Sequence, residues 1–176
     1  MLRDGLIDLL LGIDEEAELT IGIRNPKPKL VIVGGAAFLL RDITARQTTH
    51  DIDVLHADES LREILNAYPE VNGCVAAFSD QIPFNFEDRL EVLEIGAKAI
   101  AFVTPSVEDL VVMKLYAQRP NDVQDIDGAI SAGRVNWNLL DRLVHDENEA
   151  AASCISDRRY AEMLSAYDDL KSRWDR

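Results

Sequence analysis

Apolar residues recur at Leu2, Leu6, Leu9, Leu10 and Ile13, the spacing of one face of an amphipathic helix. Pro26 and Pro28 punctuate a linker, and Leu30-Val31-Ile32-Val33 follows as an unbroken run bounded by proline on one side and Gly34-Gly35 on the other, the pattern of a buried strand. Ala36 to Leu40 suits a short helix, Thr44 to His50 is polar, and Asp51 to Leu55 reads as the next strand. Leu61, Ile64, Leu65 and Tyr68 then repeat at helical spacing over Glu59 to Tyr68, ended by Pro69. Cys74 to Phe78 reads as a short strand, and Arg89–Ile95 and Ala99–Val103, flanking Gly96-Ala97-Lys98, as the arms of a β-hairpin.

The character changes after Thr104. Ser106 with Asp109 three residues on resembles a capping box and opens a helix that runs to Gln118. Asp122–Ala132, Asn136–Val144 and Asp157–Arg173 are three further helical patterns, separated by Pro120, Gly133 and the polar stretch Asp146 to Glu149. The pattern predicts an α+β chain: a small mixed β-sheet with flanking helices over residues 1–105, then a C-terminal helical region, residues 106–176, packed on that core.

A chain of 176 residues with 47% hydrophobic content suits one globular unit. No apolar run reaches the roughly 20 residues a bilayer span needs, and acidic residues interrupt the opening segment, so the expectation is a cytoplasmic protein with no membrane association. Cys74 and Cys154 stand far apart without Cys or His neighbours at metal-ligand spacing, which argues against zinc and a disulfide framework. The net charge of −14 repels polyanions and argues against an extensive nucleic-acid surface. It leaves room for a small nucleotide that arrives with a divalent cation.

Candidate chemistry concentrates in two places. On a strand, residues i and i+2 share a face at about 6.6 Å along the backbone, so Asp51 and Asp53 project together while Ile52 and Val54 face inward. Two such carboxylates can ligate Mg2+ or Mn2+; they can equally be the wet face of a strand. Gly34-Gly35 can admit a phosphate close to the backbone, or can simply form a tight strand-to-helix turn. Farther along, Val107, Leu110, Val111, Lys114 and Gln118 fall on one helical stripe, so Lys114 points inward and needs an anion, either a phosphate or a carboxylate such as Asp122, unless its ammonium snorkels to water. Asp125 and Arg119 read as a structural ion-pair network at a helix junction. His50 beside the carboxylates reads as a surface residue, and Trp137 and Trp174 as packing residues.

Val33-Gly34-Gly35-Ala36-Ala37 together with Arg46-x-x-Thr49-x-Asp51-Ile52-Asp53-Val54 resembles the nucleotidyltransferase fold of the DNA polymerase beta superfamily, with a few residues more between the glycines and the aspartates than compact members have. The segment Glu108 to Ile126, with Lys114, Arg119, Asp122 and Asp125, is similar to the lysine, arginine and Asp-x-x-Asp segment of bacterial nucleotidyltransferase-like proteins of abortive-infection and toxin-antitoxin operons. The resemblance implies transfer of a nucleoside monophosphate from an NTP to a hydroxyl, with Asp51 and Asp53 on the metal, Gly34 and Gly35 holding phosphates, and Lys114 and Asp122 at the nucleotide. It also implies a third carboxylate, for which Glu91 is the choice over Glu94 and Asp88. The alternative is a catalytically silent domain that binds a protein partner of a toxin-antitoxin pair, an acidic surface being suited to a basic partner. A tRNA acceptor stays open.

Overall fold

The computed structural model describes residues 1–73 and 79–174. The strand expected over Cys74 to Phe78 therefore lies outside the described residues. Helix α1 (Arg3–Ile21) leads to β1 (Lys29–Val33) and directly into α2 (Gly34–Leu40). Strand β2 (Ile52–Ala57) is followed by a 3-10 turn (Glu59–Leu61), the short α3 (Arg62–Leu65) and β3 (Val71–Asn72). A 3-10 turn (Phe86–Arg89) precedes β4 (Glu91–Val92) and β5 (Ala101–Thr104), after which the chain is helical: α4 (Val107–Ala117), α5 (Pro120–Ser131), α6 (Trp137–His145), α7 (Ala150–Ser153) and α8 (Asp157–Trp174).

The strands form one mixed sheet in the order β3-β2-β1-β5-β4, with β1 antiparallel to β2 and parallel to β5. The apolar run at Leu30 to Val33 is buried because β1 is the central strand, covered on both faces. Pairing of β1 with β2 carries an irregularity: Val31 faces His56 while Ile32 faces Val54, so Leu55 is an extra residue on β2 and both Val54 and Leu55 are buried. Beyond that bulge Val33 aligns with Asp53, which brings the end of β1 beside the aspartate strand.

The expected hairpin is present as a pair but not as a tight turn. Glu91 and Val92 align with Thr104 and Val103, so the connection spans residues 93–100 instead of Gly96-Ala97-Lys98 alone. The physical reason is Asp14 of α1, whose buried carboxylate accepts hydrogen bonds from the backbone N–H groups of Lys98, Ala99 and Ile100 at 2.7, 2.9 and 2.8 Å. Those donors are taken by a helix side chain and are lost to the ladder. The helix expected over Glu59 to Tyr68 is likewise shorter, and α7 follows the polar stretch Asp146 to Glu149, at residues the pattern assigned to no element.

One buried apolar cluster runs through α1, the sheet, α2 and the C-terminal helices, from Leu6 and Ile32 to Val111, Leu143 and Leu170. The expected N-cap holds: Ser106 Oγ accepts from the Asp109 N–H at 3.1 Å. Arg89 then ties the helical region to the sheet, donating to Asp109 at 2.8 Å and to Glu149 at 3.0 Å; burial works against its charge but those two carboxylates outweigh it and hold it firmly protonated. Among the described residues, no helix is long and apolar enough to cross a membrane.

Candidate active site

A cavity of about 750 Å³ opens where the end of β1, the start of β2 and the junction of α4 with α5 meet. Gly34, Gly35, Asp51, Asp53, Lys114 and Asp122, placed in two distant stretches of sequence, all line it. Asp51 precedes β2 and is exposed, whereas Asp53 is the second residue of the strand and is half-buried. Burial is the main force raising the Asp53 carboxyl above the usual range, and the like charge of Asp51 adds to it; an Asn72 hydrogen bond at 3.2 Å and the charges of Arg119 and Lys114 act in the opposite direction.

The two glycines have steric reasons that involve these partners. Gly34 has φ +66, and a Cβ there would collide with the Asp53 carboxylate. A Cβ at Gly35 would lie 3.2 Å from Arg46 Nη1 and 3.4 Å from Thr49 Oγ1. The pair is thus small because the aspartate strand and the polar loop before it press against the head of α2.

Lys114 is 5% exposed, and its ammonium lies 2.8 Å from Asp122 Oδ1 and 2.8 Å from Asp125 Oδ2, above the Phe38 ring. Its charge is matched inside the fold. Asp125, fully buried, also accepts from Thr44 Oγ1 at 2.5 Å and from Arg46 at 3.1 Å. Asp122 accepts from Arg119 Nε at 2.7 Å and from its backbone N–H at 3.1 Å, closing a capping box at the start of α5. Burial alone would raise Asp122, yet the bonds from Arg119 and Lys114 overcome it and keep the carboxyl below its ordinary value. Arg46 and Arg119, which the sequence reading did not place at the nucleotide, both line the cavity, and Arg46 joins the two motifs through Asp125. Their signal was in the sequence, since each stands inside one of the two resembling motifs.

Glu91 is not brought to this cavity. It sits on edge strand β4, separated from β2 by β5 and β1, and pairs with Arg41 at 2.7 Å, which also holds Thr104 Oγ1 and the Pro105 carbonyl. The β3 residue aligned with Asp53 is Asn72, an amide and not a carboxylate. Among the described residues no group of three or more His, Cys, Asp or Glu side chains is placed to hold a metal ion. Asp51 and Asp53 fit a hard cation of the Mg2+ kind, which takes one or two protein carboxylates and completes its shell with water and phosphate oxygens; they do not fit a metal enclosed by protein ligands alone. His50 stands at the cavity wall beside them.

A family model described as "Nucleotidyltransferase of unknown function (DUF6036)" matches residues 8–175. No curated protein and no solved structure matches the chain.

Proposed function

The chain belongs to this family of nucleotidyltransferases of unknown function, and we propose that it transfers a nucleoside monophosphate from an NTP to a hydroxyl acceptor with Mg2+ or Mn2+ as cofactor. The observation that carries the reading is the convergence of Asp51 and Asp53 with Lys114, Arg119 and Asp122 on one cavity, although the two groups are separated by some sixty positions of chain. Residue pairs that meet only through tertiary packing, in a concave site with one perturbed carboxylate, are what a functional site requires and a solvated strand face does not.

In this reading Asp51 and Asp53 face one cavity, and a divalent cation held by them would offset both the burial and the like charge of Asp51 that raise the Asp53 carboxyl. Asp51 and Asp53 would hold the cation, which when bound would supply charge neutralisation at the triphosphate and polarisation of its α-phosphate. Asp53 is kept in place by the Asn72 amide and by the close fit of Gly34, so the carboxylate does not need to reorganise on binding. The acceptor oxygen bonds to the α-phosphorus, the bridging P–O bond to the β-phosphate breaks, pyrophosphate leaves, and the hydroxyl proton passes to water at the cavity mouth. Lys114 acts indirectly, by fixing Asp122 and Asp125.

Calorimetric titration with each NTP in the presence and absence of Mg2+, followed by a pyrophosphate-release assay with small hydroxyl compounds, tRNA and protein hydroxyls as acceptors, tests this. Binding that depends on the cation and disappears in Asp51→Ala and Asp53→Ala is expected; NTP binding of equal strength in both variants, or no NTP binding by the native chain, refutes it. The placement of Glu91 and Asn72 favours one second reading, a nucleotide-binding domain without transfer that serves a protein partner, as in a toxin-antitoxin pair. That reading predicts cation-dependent NTP binding with no pyrophosphate released for any acceptor.

A further inference from the structure

We infer that Arg119, and not Lys114, is the side chain that grips the anionic phosphates of the substrate; the inference rests on the nucleotide reading above. The cluster at the α4–α5 junction contains Lys114, Arg46 and Arg119 against Asp122 and Asp125, so it carries one positive charge more than it balances. The geometry says which group holds that surplus. Lys114 is sealed between two carboxylates, and the Arg46 side chain is 22% exposed with Asp125 and the Thr48 carbonyl as partners. The Arg119 side chain is 74% exposed and lines the cavity.

Arg119 is also aimed. Gln118 ends α4 in a left-handed conformation with φ 51, Arg119 is extended, and Pro120 opens α5, so the chain turns a corner that carries the arginine outward. Asp122 takes its Nε and Nη2, orienting the guanidinium plane, while Nη1 makes no hydrogen bond among the described residues. Arg119 lines the same cavity as Asp51 and Asp53, so its guanidinium borders the site and not a remote surface. A planar guanidinium with one edge buried on a carboxylate and the other open to a cavity is suited to forked recognition of phosphate oxygens, a role a sealed ammonium cannot take.

The test uses inorganic tripolyphosphate and NTPs as ligands, Mn2+ binding as a separate readout, and the variants Arg119→Gln and Arg119→Lys. Arg119→Gln is expected to weaken tripolyphosphate and NTP binding by about tenfold to a hundredfold, to leave nucleoside binding unchanged and Mn2+ affinity undiminished, and to be partly rescued in Arg119→Lys. Loss confined to ligands that carry phosphates separates contact from a general loosening of the helix junction, which would weaken Mn2+ and nucleoside binding as well. Unchanged tripolyphosphate affinity in Arg119→Gln, while Asp53→Ala abolishes Mn2+ and NTP binding, overturns this inference and leaves the proposed function standing. Failure of the native protein to bind any NTP overturns both.

Discussion

Replacing Lys114 with methionine removes an ammonium of nearly the same shape from between two buried carboxylates. Asp122 is 2% exposed and Asp125 fully buried, so neither can turn to water for compensation. Each keeps an arginine: Arg119 at 2.7 Å for Asp122, and Arg46 at 3.1 Å for Asp125, with Thr44 Oγ1 in addition. Breaking a buried ion pair by removing one partner costs about 3–5 kcal/mol, and the remaining arginines place Lys114→Met at the lower end, about 3 kcal/mol. That is a large share of the roughly 5–15 kcal/mol that holds a domain folded, and for a chain of this length it lowers Tm by about 6–12 °C. Urea denaturation of the native protein and the variant at pH 7 and near pH 4.5 gives the measurement.

The pH dependence carries its own sign. Asp122 is held below the ordinary carboxyl range, so in the native protein its stabilisation is fully present above the unfolded value near 3.8 and is lost only as pH falls through the depressed folded value. In Lys114→Met burial has less opposition, the folded value rises, and protonation relieves the buried charge at higher pH. The deficit of the variant should therefore narrow as pH is lowered from 7. A deficit under about 1 kcal/mol at pH 7, the scale of an exposed pair, or one equally large at both pH values, refutes the argument that Lys114 is spent on these carboxylates.

Gly34→Ala combines a positive φ, which costs a residue with a Cβ about 1–2 kcal/mol, with a collision at Asp53, so Mn2+ affinity measured by electron paramagnetic resonance should fall by about tenfold or more; native affinity in that variant contradicts the close-fit account. Gly128→Ala would ordinarily favour a helix by about 1 kcal/mol, but the new Cβ lies 2.9 Å from the Ala45 backbone nitrogen, so α5 is pushed off the loop that carries Arg46 and the protein loses about 1–3 kcal/mol in chemical denaturation. A more stable Gly128→Ala would show that this contact yields freely. Asp53 has a folded pKa raised above 3.8, so its ionised form opposes folding above that value. Asp53→Asn should accordingly raise Tm at pH 7 in the absence of divalent cation, the gain fading as pH falls toward the unfolded value, and should abolish stabilisation by Mg2+. A lower Tm in cation-free buffer would contradict the burial and like-charge account.

Much of the architecture was legible because it follows from local rules. The buried run Leu30 to Val33, the cap at Ser106 and the break at Pro120 each depend on a few adjacent residues, and each appears where the pattern put it. The hairpin loop and the Glu91 position were not legible for the opposite reason. Asp14, more than eighty positions away, claims the N–H groups of Lys98 to Ile100, and Arg41, fifty positions before Glu91, claims its carboxylate. No periodicity near either segment records those partners. Asp125 illustrates the same limit from within a motif. Its pattern suggested an ion-pair network, yet only packing of α5 against the Thr44 to Arg46 loop, permitted by the bare Cα of Gly128, reveals that it joins both motifs.

The sequence by itself determined that a strand is followed directly by two glycines and that two aspartates stand two positions apart at the start of the next strand, Asp51 just before β2 and Asp53 within it, since chain connectivity fixes their order. Tertiary structure alone decided how these parts share their work. The β1–β2 register sets Asp53 against Gly34, and the α4–α5 corner buries Lys114 between two carboxylates while turning Arg119 into the cavity. The reason is that a side chain's charge is a property of its sequence position, whereas the charge it has left to offer a ligand depends on which groups the fold has already placed against it.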